Sequence, residues 1–414
     1  MPFHVCGLRG LNLHPTIRPR GERIFFDKMN SEQRREARYR RRKAKREARK
    51  QKRSEEVGSL PDVFRYDALY RCGKQCCRGV RWKNSTQRFE LHLFSTTARV
   101  RGKLLDGTWR PSKYAHFTLC ERGKVRPIDA PRIQDRQVHK TITKRVLLPL
   151  YLPDMIHNNG ASLEGKGFHF SLKMFKRDLV RHFRRYGREG HVILMDFEKF
   201  FPSAPHKAVY ARHRRLLRDT RVRMLADRIV GFTDGGRGLP LGVEVSQIEM
   251  IGLLSPLDNY IKCQLGIKGM GHYMDDYYIL IPPDQDPREA LAKVVAKARE
   301  VGFSISLAKT QVRPLSRPLR YCKAKFTLSE TGRVAINGSR DSIKRARRKI
   351  RAFRATLTAG EMTLEDVRAS VQSSLAYFGG YDDHGRVLCL RRLFYAVYGF
   401  SAEDNQNFKQ GDTA

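Results

Sequence analysis

Two adjacent carboxylates in an apolar setting are the first feature of this 414-residue chain able to do chemistry. Asp275 and Asp276 stand in Gly271-His272-Tyr273-Met274-Asp275-Asp276-Tyr277-Tyr278-Ile279-Leu280. Tyr, Ile and Leu favour strands and Asp suits a tight turn, so the stretch predicts a β-hairpin with the acids at its tip. Neighbouring carboxylates repel one another, and a hard divalent cation such as Mg2+ neutralises them. A third acid, Asp196, follows the apolar run His191-Val192-Ile193-Leu194-Met195, which predicts a buried strand ending at a sheet edge. With Asp196 beside the hairpin, three carboxylates could hold two ions about 3.5–4 Å apart, as nucleotidyl transfer requires. An isolated Asp-Asp pair more often marks a solvated turn, so the weight falls on its surroundings.

Cations supply the next candidates. In Glu121-Arg122-Gly123-Lys124-Val125-Arg126-Pro127-Ile128 a turn at Arg122-Gly123-Lys124 would put Lys124 and Arg126 on one hairpin face. Such a pair can clamp a triphosphate, although spacing alone allows two exposed strand cations equally well. Gly165-Lys166-Gly167 lacks the spacing of a phosphate-binding loop, which excludes a P-loop nucleoside triphosphatase there. The eight cysteines are scattered, and Cys72-Gly-Lys-Gln-Cys76-Cys77 has no second ligand pair at zinc spacing, so structural thiols are expected.

The Tyr273-Met274-Asp275-Asp276 box, the Asp196-x-x-x-x-Phe201 stretch about 80 residues before it and Gly242-x-x-x-Ser246-Gln247 between them resemble, in order, the motifs of the reverse transcriptases. The resemblance covers roughly residues 85–400. It implies an α+β right-hand polymerase with fingers, palm and helical thumb, copying an RNA template into DNA. Asp196, Asp275 and Asp276 would be catalytic and hold two Mg2+ ions, or Mn2+ in their place, with the Phe197 carbonyl as a further ligand. Lys124-x-Arg126-Pro127-Ile128 and Asp135-Arg136-x-Val138 resemble the fingers of bacterial members, which implies that Lys124 and Arg126 hold the incoming deoxynucleoside triphosphate. Phe201 occupies the position whose aromatic side chain excludes a ribose 2′-hydroxyl. Lys309, in Phe303-Ser304-Ile305-Ser306-Leu307-Ala308-Lys309-Thr310, resembles the lysine proposed to protonate pyrophosphate.

Two departures bear on subgroup. Leu241-Gly242-x-x-x-Ser246-Gln247 resembles the family's Gln-Gly-x-x-x-Ser-Pro segment, which packs on the nascent base pair, with Leu241 for Gln and Gln247 for Pro. Leu241, Gly242 and Gln247 are therefore nucleotide-binding candidates. This form resembles the enzymes of diversity-generating retroelements, which misincorporate opposite adenine, and also some phage-defence groups. Ser162-Leu163-Glu164-Gly165-Lys166-Gly167 resembles a stretch of group II intron-like members that would contact template or fingers backbone. Leu319 to Phe326 matches the family's primer-contacting segment poorly.

The elements around these residues follow from composition. There are 82 Lys and Arg against 42 Asp and Glu, a net charge of +40. Residues 1–57 hold 18 basic and 7 acidic side chains, so +29 belongs to the remainder, and a polyanion is the natural partner. Expected partners are template RNA, primer and cDNA, with a structured non-coding RNA or an accessory protein in addition. No run approaches 18 apolar residues and no signal-peptide core stands at the start, so no membrane and a cytoplasmic location are expected.

The expected division is a basic arm over 1–57, an N-terminal extension and fingers over 58–190, a palm over 191–335, a thumb over 336–400 and a polar tail over 401–414. Before Asn30 the arm reads as loosely ordered. From Ser31 to Glu56 Gly and Pro are absent, and 13 Lys and Arg crowd residues 34–53, which predicts a basic helix capped by Asn30 or Ser31 that contacts nucleic acid or stays solvated. Short helices are expected over 58–90 and hairpin material over 104–120, turning at Asp106-Gly107. Helices follow near 138–152, 172–186 and 287–301, and a very basic helix from Ser339, with segments near 363–378 and 386–399, makes a three-helix thumb. The tail leaves no room for a nuclease domain. Two rivals remain: an RNA-templated RNA polymerase, which Phe201 argues against, and a non-catalytic RNA-binding protein, which would not need three acids inside a basic surface.

Overall fold

The computed structural model describes residues 30–121, 123–232 and 235–402. The loose arm before Asn30, Arg122 of the expected turn and the tail from Glu403 lie outside them. Two compact units divide the chain, Met1–Glu56 and Val57–Ala414. In the first, α1 (Ser31–Val57) is a helix without a buried residue. Asn30 caps it: Gln33 N donates to Asn30 Oδ1 at 2.8 Å and Asn30 N donates to Gln33 Oε1 at 3.1 Å, the reciprocal arrangement that satisfies two end donors.

After a single helical turn at Leu60–Val63, the second unit continues with α2 (Tyr66–Cys77), α3 (Asn84–Leu91) and α4 (Leu93–Leu105). Cys72, Cys76 and Cys77 are buried there, and burial pushes the Cys76 thiol up to about 12. The hairpin expected over 104–120 is corrected: α4 runs to Leu105, Asp106 caps it, and Gly107 follows with φ +73°. A glycine that ends a helix and one that turns a hairpin look alike in sequence. The hairpin itself is β1 (Ala115–Glu121) and β2 (Lys124–Ala130), in register from Ala115↔Ala130 to Glu121↔Lys124. Next, α5 (Ile133–Ile142) passes through a π-turn at Thr143–Leu147 into Leu148–Tyr151. Pro149 lacks an N–H and would crowd the preceding turn of a regular helix, so the wider turn relieves it.

The central sheet joins β3 (His191–Met195), β4 (Met270–Tyr273), β5 (Asp276–Ile281) and β6 (Gln311–Pro314) in the order β4-β5-β3-β6, every pair antiparallel. Both faces are covered. Val192, Leu194, Tyr278 and Leu280 pack with Leu172 and Phe175 of α6 (Phe168–Tyr186). Ile193, Met195, Tyr277 and Ile279 face the other way, against Met250 of α9 (Glu244–Leu253) and Val294 of α10 (Pro287–Val301). Two-sided burial explains why β3 and β5 read as continuous apolar runs. Between β3 and α9 lie α7 (His206–Leu216) and α8 (Thr220–Val230).

A second sheet, β7 (Leu319–Tyr321), β8 (Ala324–Leu328) and β9 (Val334–Asn337), leads to α11 (Arg340–Thr358), α12 (Leu364–Gly379) and α13 (His384–Tyr398). Ala346 and Ile350 of α11 share an apolar cluster with Val371, Phe394 and the α6 face of the central sheet. The fold is thus a mixture of helices and small antiparallel sheets, α+β. No helix among the described residues is long and apolar enough to cross a membrane.

A buried ionic knot fixes α9 against α7 and α8. His213 Nδ1 lies 2.6 Å from Asp227 Oδ1, its Nε2 lies 3.0 Å from Glu249 Oε1, and Tyr151 Oη donates to Glu249 Oε2 at 2.9 Å. Burial opposes a charge on His213, but Glu249 and Asp227 outweigh it and hold the imidazole at about 9. That value lies above the ordinary histidine value, so the stabilisation is complete below about pH 6.5 and is lost as pH rises through about 9. The urea midpoint of the wild type should therefore fall between pH 7 and 9, and His213→Phe should flatten that part of the profile.

Candidate active site

Pairing of Met195 with Tyr277 makes Asp196 and Asp276 leave the sheet at the same end. Tyr273 pairs with Asp276, and Met274, at φ +54°, forms the two-residue turn with Asp275. The acids therefore sit at the hairpin tip as expected, Asp276 still in strand register.

The tip is clamped from both faces. Tyr277 Oη donates to Asp258 Oδ1 at 2.8 Å, and its ring stacks on His272 at 4.5 Å between centroids. His272 Nε2 in turn lies 3.2 Å from Asp258 Oδ2. On the opposite face Tyr278 Oη donates to Asp178 Oδ2 at 2.9 Å, and Asn158 Nδ2 donates to the same oxygen at 2.7 Å. Gly271 is required beside this network, because a Cβ there would stand 2.7 Å from Asn158 Cβ. Asp178, Asp258 and Asn158 belong to no motif and were missed from the sequence. Their only signal was the Tyr277-Tyr278 pair, whose hydroxyls need acceptors once buried.

Residues 303–310 lie alongside Asp196. Ser306 N donates to Asp196 O and Glu198 N donates to Ser304 O, both at 2.9 Å, around a Phe197↔Ile305 bridge. In this antiparallel pattern the Phe197 carbonyl points away from the paired segment, leaving it open as an oxygen donor. The same pairing brings Lys309 Nζ to 3.0 Å from Asp196 Oδ2, and this contact raises the lysine above its ordinary value.

Burial, and then the neighbouring Asp196 carboxylate, raise Asp275. Asp276 is pushed up to about 6 by burial and by Asp275 and Asp196, against the opposing pull of Lys323 and a hydrogen bond with Cys322. Cys322 and Lys323, at φ +46° and +63°, form the tight turn between β7 and β8. The segment whose match was poor thus lies directly against the aspartates; its position in the chain was the only clue. Beyond it a cavity of about 890 Å³ is lined by Arg320, Lys325, Arg340, Arg345 and Arg386, with Asp341 the one acid.

Among the described residues no three His, Cys, Asp or Glu side chains form a ready-made metal cage. The donor set nevertheless suits a divalent ion: Asp275 and Asp276, raised by burial and by neighbouring carboxylates, stand beside Asp196, with Lys309 and Lys323 nearby. Hard oxygen donors of this charge favour Mg2+ or Mn2+.

The remaining candidates flank this centre. Phe201, half-buried against Phe200, accepts at its carbonyl from Leu239 N at 3.0 Å, which ties it to the loop ahead of α9. In that loop Leu241 O accepts from Asp129 N at 2.8 Å, so the β1–β2 hairpin carrying Lys124 and Arg126 joins the site through its base. Both cations are exposed and share one face of β2. Gln247 Oε1 accepts from Ser162 Oγ at 2.9 Å. Lys166 instead donates to the His157 and Asn159 carbonyls at 2.8 and 3.1 Å, holding its own loop.

Gly242 and Gln247 border a cavity of about 500 Å³ together with His139 and Thr143. His139 is held neutral by burial, at about 3, and neither its ring nitrogens nor Thr143 Oγ1 has a hydrogen-bond partner among the described residues. Buried donors and acceptors are costly to leave unpaired, so these atoms call for a partner such as an ordered water or a ligand.

A family model described as reverse transcriptase (RNA-dependent DNA polymerase) matches residues 112–324, just over half of the chain. No curated protein matches it. Gly242 tests the local construction: at φ +104°, an added Cβ would lie 2.9 Å from Asp129 O. Gly242→Ala should cost roughly 1–3 kcal/mol in thermal unfolding, through a strained backbone and a displaced β2 base.

Proposed function

The chain belongs to the reverse transcriptase family, and on that premise we propose that it copies RNA into DNA at Asp196, Asp275 and Asp276, as part of a diversity-generating retroelement. The observation that carries the catalytic reading is the convergence of three carboxylates, on β3 and on the β4–β5 tip, with Lys309 beside Asp196. Asp196, Asp275, Asp276 and the Phe197 carbonyl would hold two divalent ions. Such ions activate a primer 3′-hydroxyl and stabilise the leaving pyrophosphate.

The protein's own residues do the rest. Lys124 and Arg126 clamp the triphosphate from the hairpin face, and Phe201 fills the space a 2′-hydroxyl would need. Leu241, Gly242 and Gln247 support the nascent base pair, and the unpartnered His139 and Thr143 line the same cavity. Lys309, within reach of the acids, donates a proton to the departing pyrophosphate. The β7–β8 turn and the cation-lined cavity beyond it hold the primer strand, and α11 to α13 act as the thumb on the duplex. An apolar Leu241 where relatives carry a polar amide supports the retroelement assignment, because it removes a polar contact from the base-pair wall.

Sequencing the DNA made in cells by the wild type and by Asp275→Asn/Asp276→Asn tests this reading. A product present only with intact carboxylates, and bearing errors at template adenines, is expected; equal product from both proteins would refute it. In primer extension, Phe201→Val should raise ribonucleotide incorporation at least tenfold. Lys309→Ala should lower kcat by about 10²-fold with little change in KM, as loss of a general acid does.

A further inference from the structure

A basic concavity lies outside the aspartate centre. A cavity of about 910 Å³ opens between the start of α3, the outer face of α4 and the β2–α5 connection. Five cations, Lys83, Arg88, Arg99, Arg132 and Arg136, line it, and no acid does. All five are exposed, and none forms an ion pair among the described residues. The nearby acids are already engaged: Glu90 is bound by Arg81 at 2.8 Å, and Asp135 is buried, accepting from Ser112 N at 3.0 Å. Ser85, Thr86, Ser95 and Thr96 add hydroxyls to the wall.

Uncompensated cations lining a concave surface repel one another unless an anion enters. The five come from three separate segments of the chain, at 83–88, 99 and 132–136, as suits an extended polyanion. A flat lipid surface cannot enter such a recess. Trp82, the chain neighbour of the lining residue Lys83, is 75 % exposed, with Lys83 Nζ 5.0 Å from its ring centroid, so an exposed indole stands next to the lining cations. Basic grooves combined with exposed aromatic rings suit unpaired nucleotides, whose bases are free to stack. Pro131 and Arg136 line both this cavity and the smaller one bordered by Gly242 and Gln247. The two recesses therefore adjoin.

We propose that this cavity is a second, non-catalytic binding site for single-stranded nucleic acid, in which the five cations hold the phosphodiester backbone and Trp82 stacks a base. The strand bound there continues through the Arg136 wall toward the smaller cavity; only this continuation rests on the polymerase reading.

Fluorescence anisotropy of labelled oligouridylate and oligothymidylate on the full chain, without nucleotides and over a series of salt concentrations, tests the site. Lys83→Gln/Arg88→Gln/Arg99→Gln should weaken binding about tenfold or more and reduce the log–log salt slope by about 2, as three lost phosphate contacts on a single strand require. Trp82→Ala, a surface change that leaves every cation in place, should weaken binding about tenfold with an unchanged slope. The stronger of the two oligonucleotides identifies the sugar. Equal affinity and slope in both variants, with melting temperatures unchanged, would overturn the proposal. So would displacement of the strand by tripolyphosphate at equal total phosphate, which would mark a free-polyphosphate site.

Primer extension separates the two readings. On a template too short to leave the aspartate centre the triple variant should match the wild type, and on a long single-stranded overhang it should need more template. If the wild type extends neither, the catalytic reading fails while the binding result still stands.

Discussion

The position of the β4–β5 tip depends on a pair of tyrosines that face opposite ways. Tyr277 reaches Asp258 and Tyr278 reaches Asp178, each through a buried hydroxyl. A strand buried on both faces has no solvent side on which to relax, so each phenol must find its acceptor inside the protein. The result is a turn whose backbone is fixed from above and below, with two carboxylates projecting from it. Gly271 and the Asn158 contacts are consequences of how tightly the hairpin is pressed into its surroundings.

Held there, the carboxylates are costly. Burial and mutual repulsion raise Asp275 and Asp276, while Lys309 and Lys323 approach from separate segments. The charge balance of the centre is thus supplied from two places far apart in sequence: residues 303–310, laid beside Asp196, and the β7–β8 turn beside Asp276. The Phe197↔Ile305 pairing brings in the first, and the turn of the separate β7–β9 sheet supplies the second.

The chain disclosed the site's charged tips far better than their supports. Asp196, Asp275, Asp276 and Lys309 were legible because each lies in a contiguous motif at the end of an apolar run, and local spacing carries that kind of information. Asp178, Asp258 and Asn158 are single polar residues within helices and loops, and their importance comes only from long-range packing. The β7–β8 turn was obscure for a related reason: its backbone at Cys322 and Lys323 is left-handed without a glycine to announce it. Asp106-Gly107 shows the converse, a strong local turn signal that a helix end had already claimed. Strand β5 and helix α10 were placed well because their periodicities are uninterrupted.

The apolar cluster shared by the central sheet, the β7–β9 sheet and the three C-terminal helices has a mechanical consequence. Val192 and Tyr278 of the central sheet, Phe326 of β8 and Ile350 and Phe394 of the last helices belong to one continuous interior. Swinging those helices away as a flap would open that interior to water, at about 25 cal/mol for each Å² of apolar surface exposed. Motion in this part of the molecule is therefore restricted to small sliding of packed helices. If these helices are the proposed thumb, a nucleic acid advancing past them would ride over an almost stationary wall, and the stepping would reside in the strand rather than in the protein.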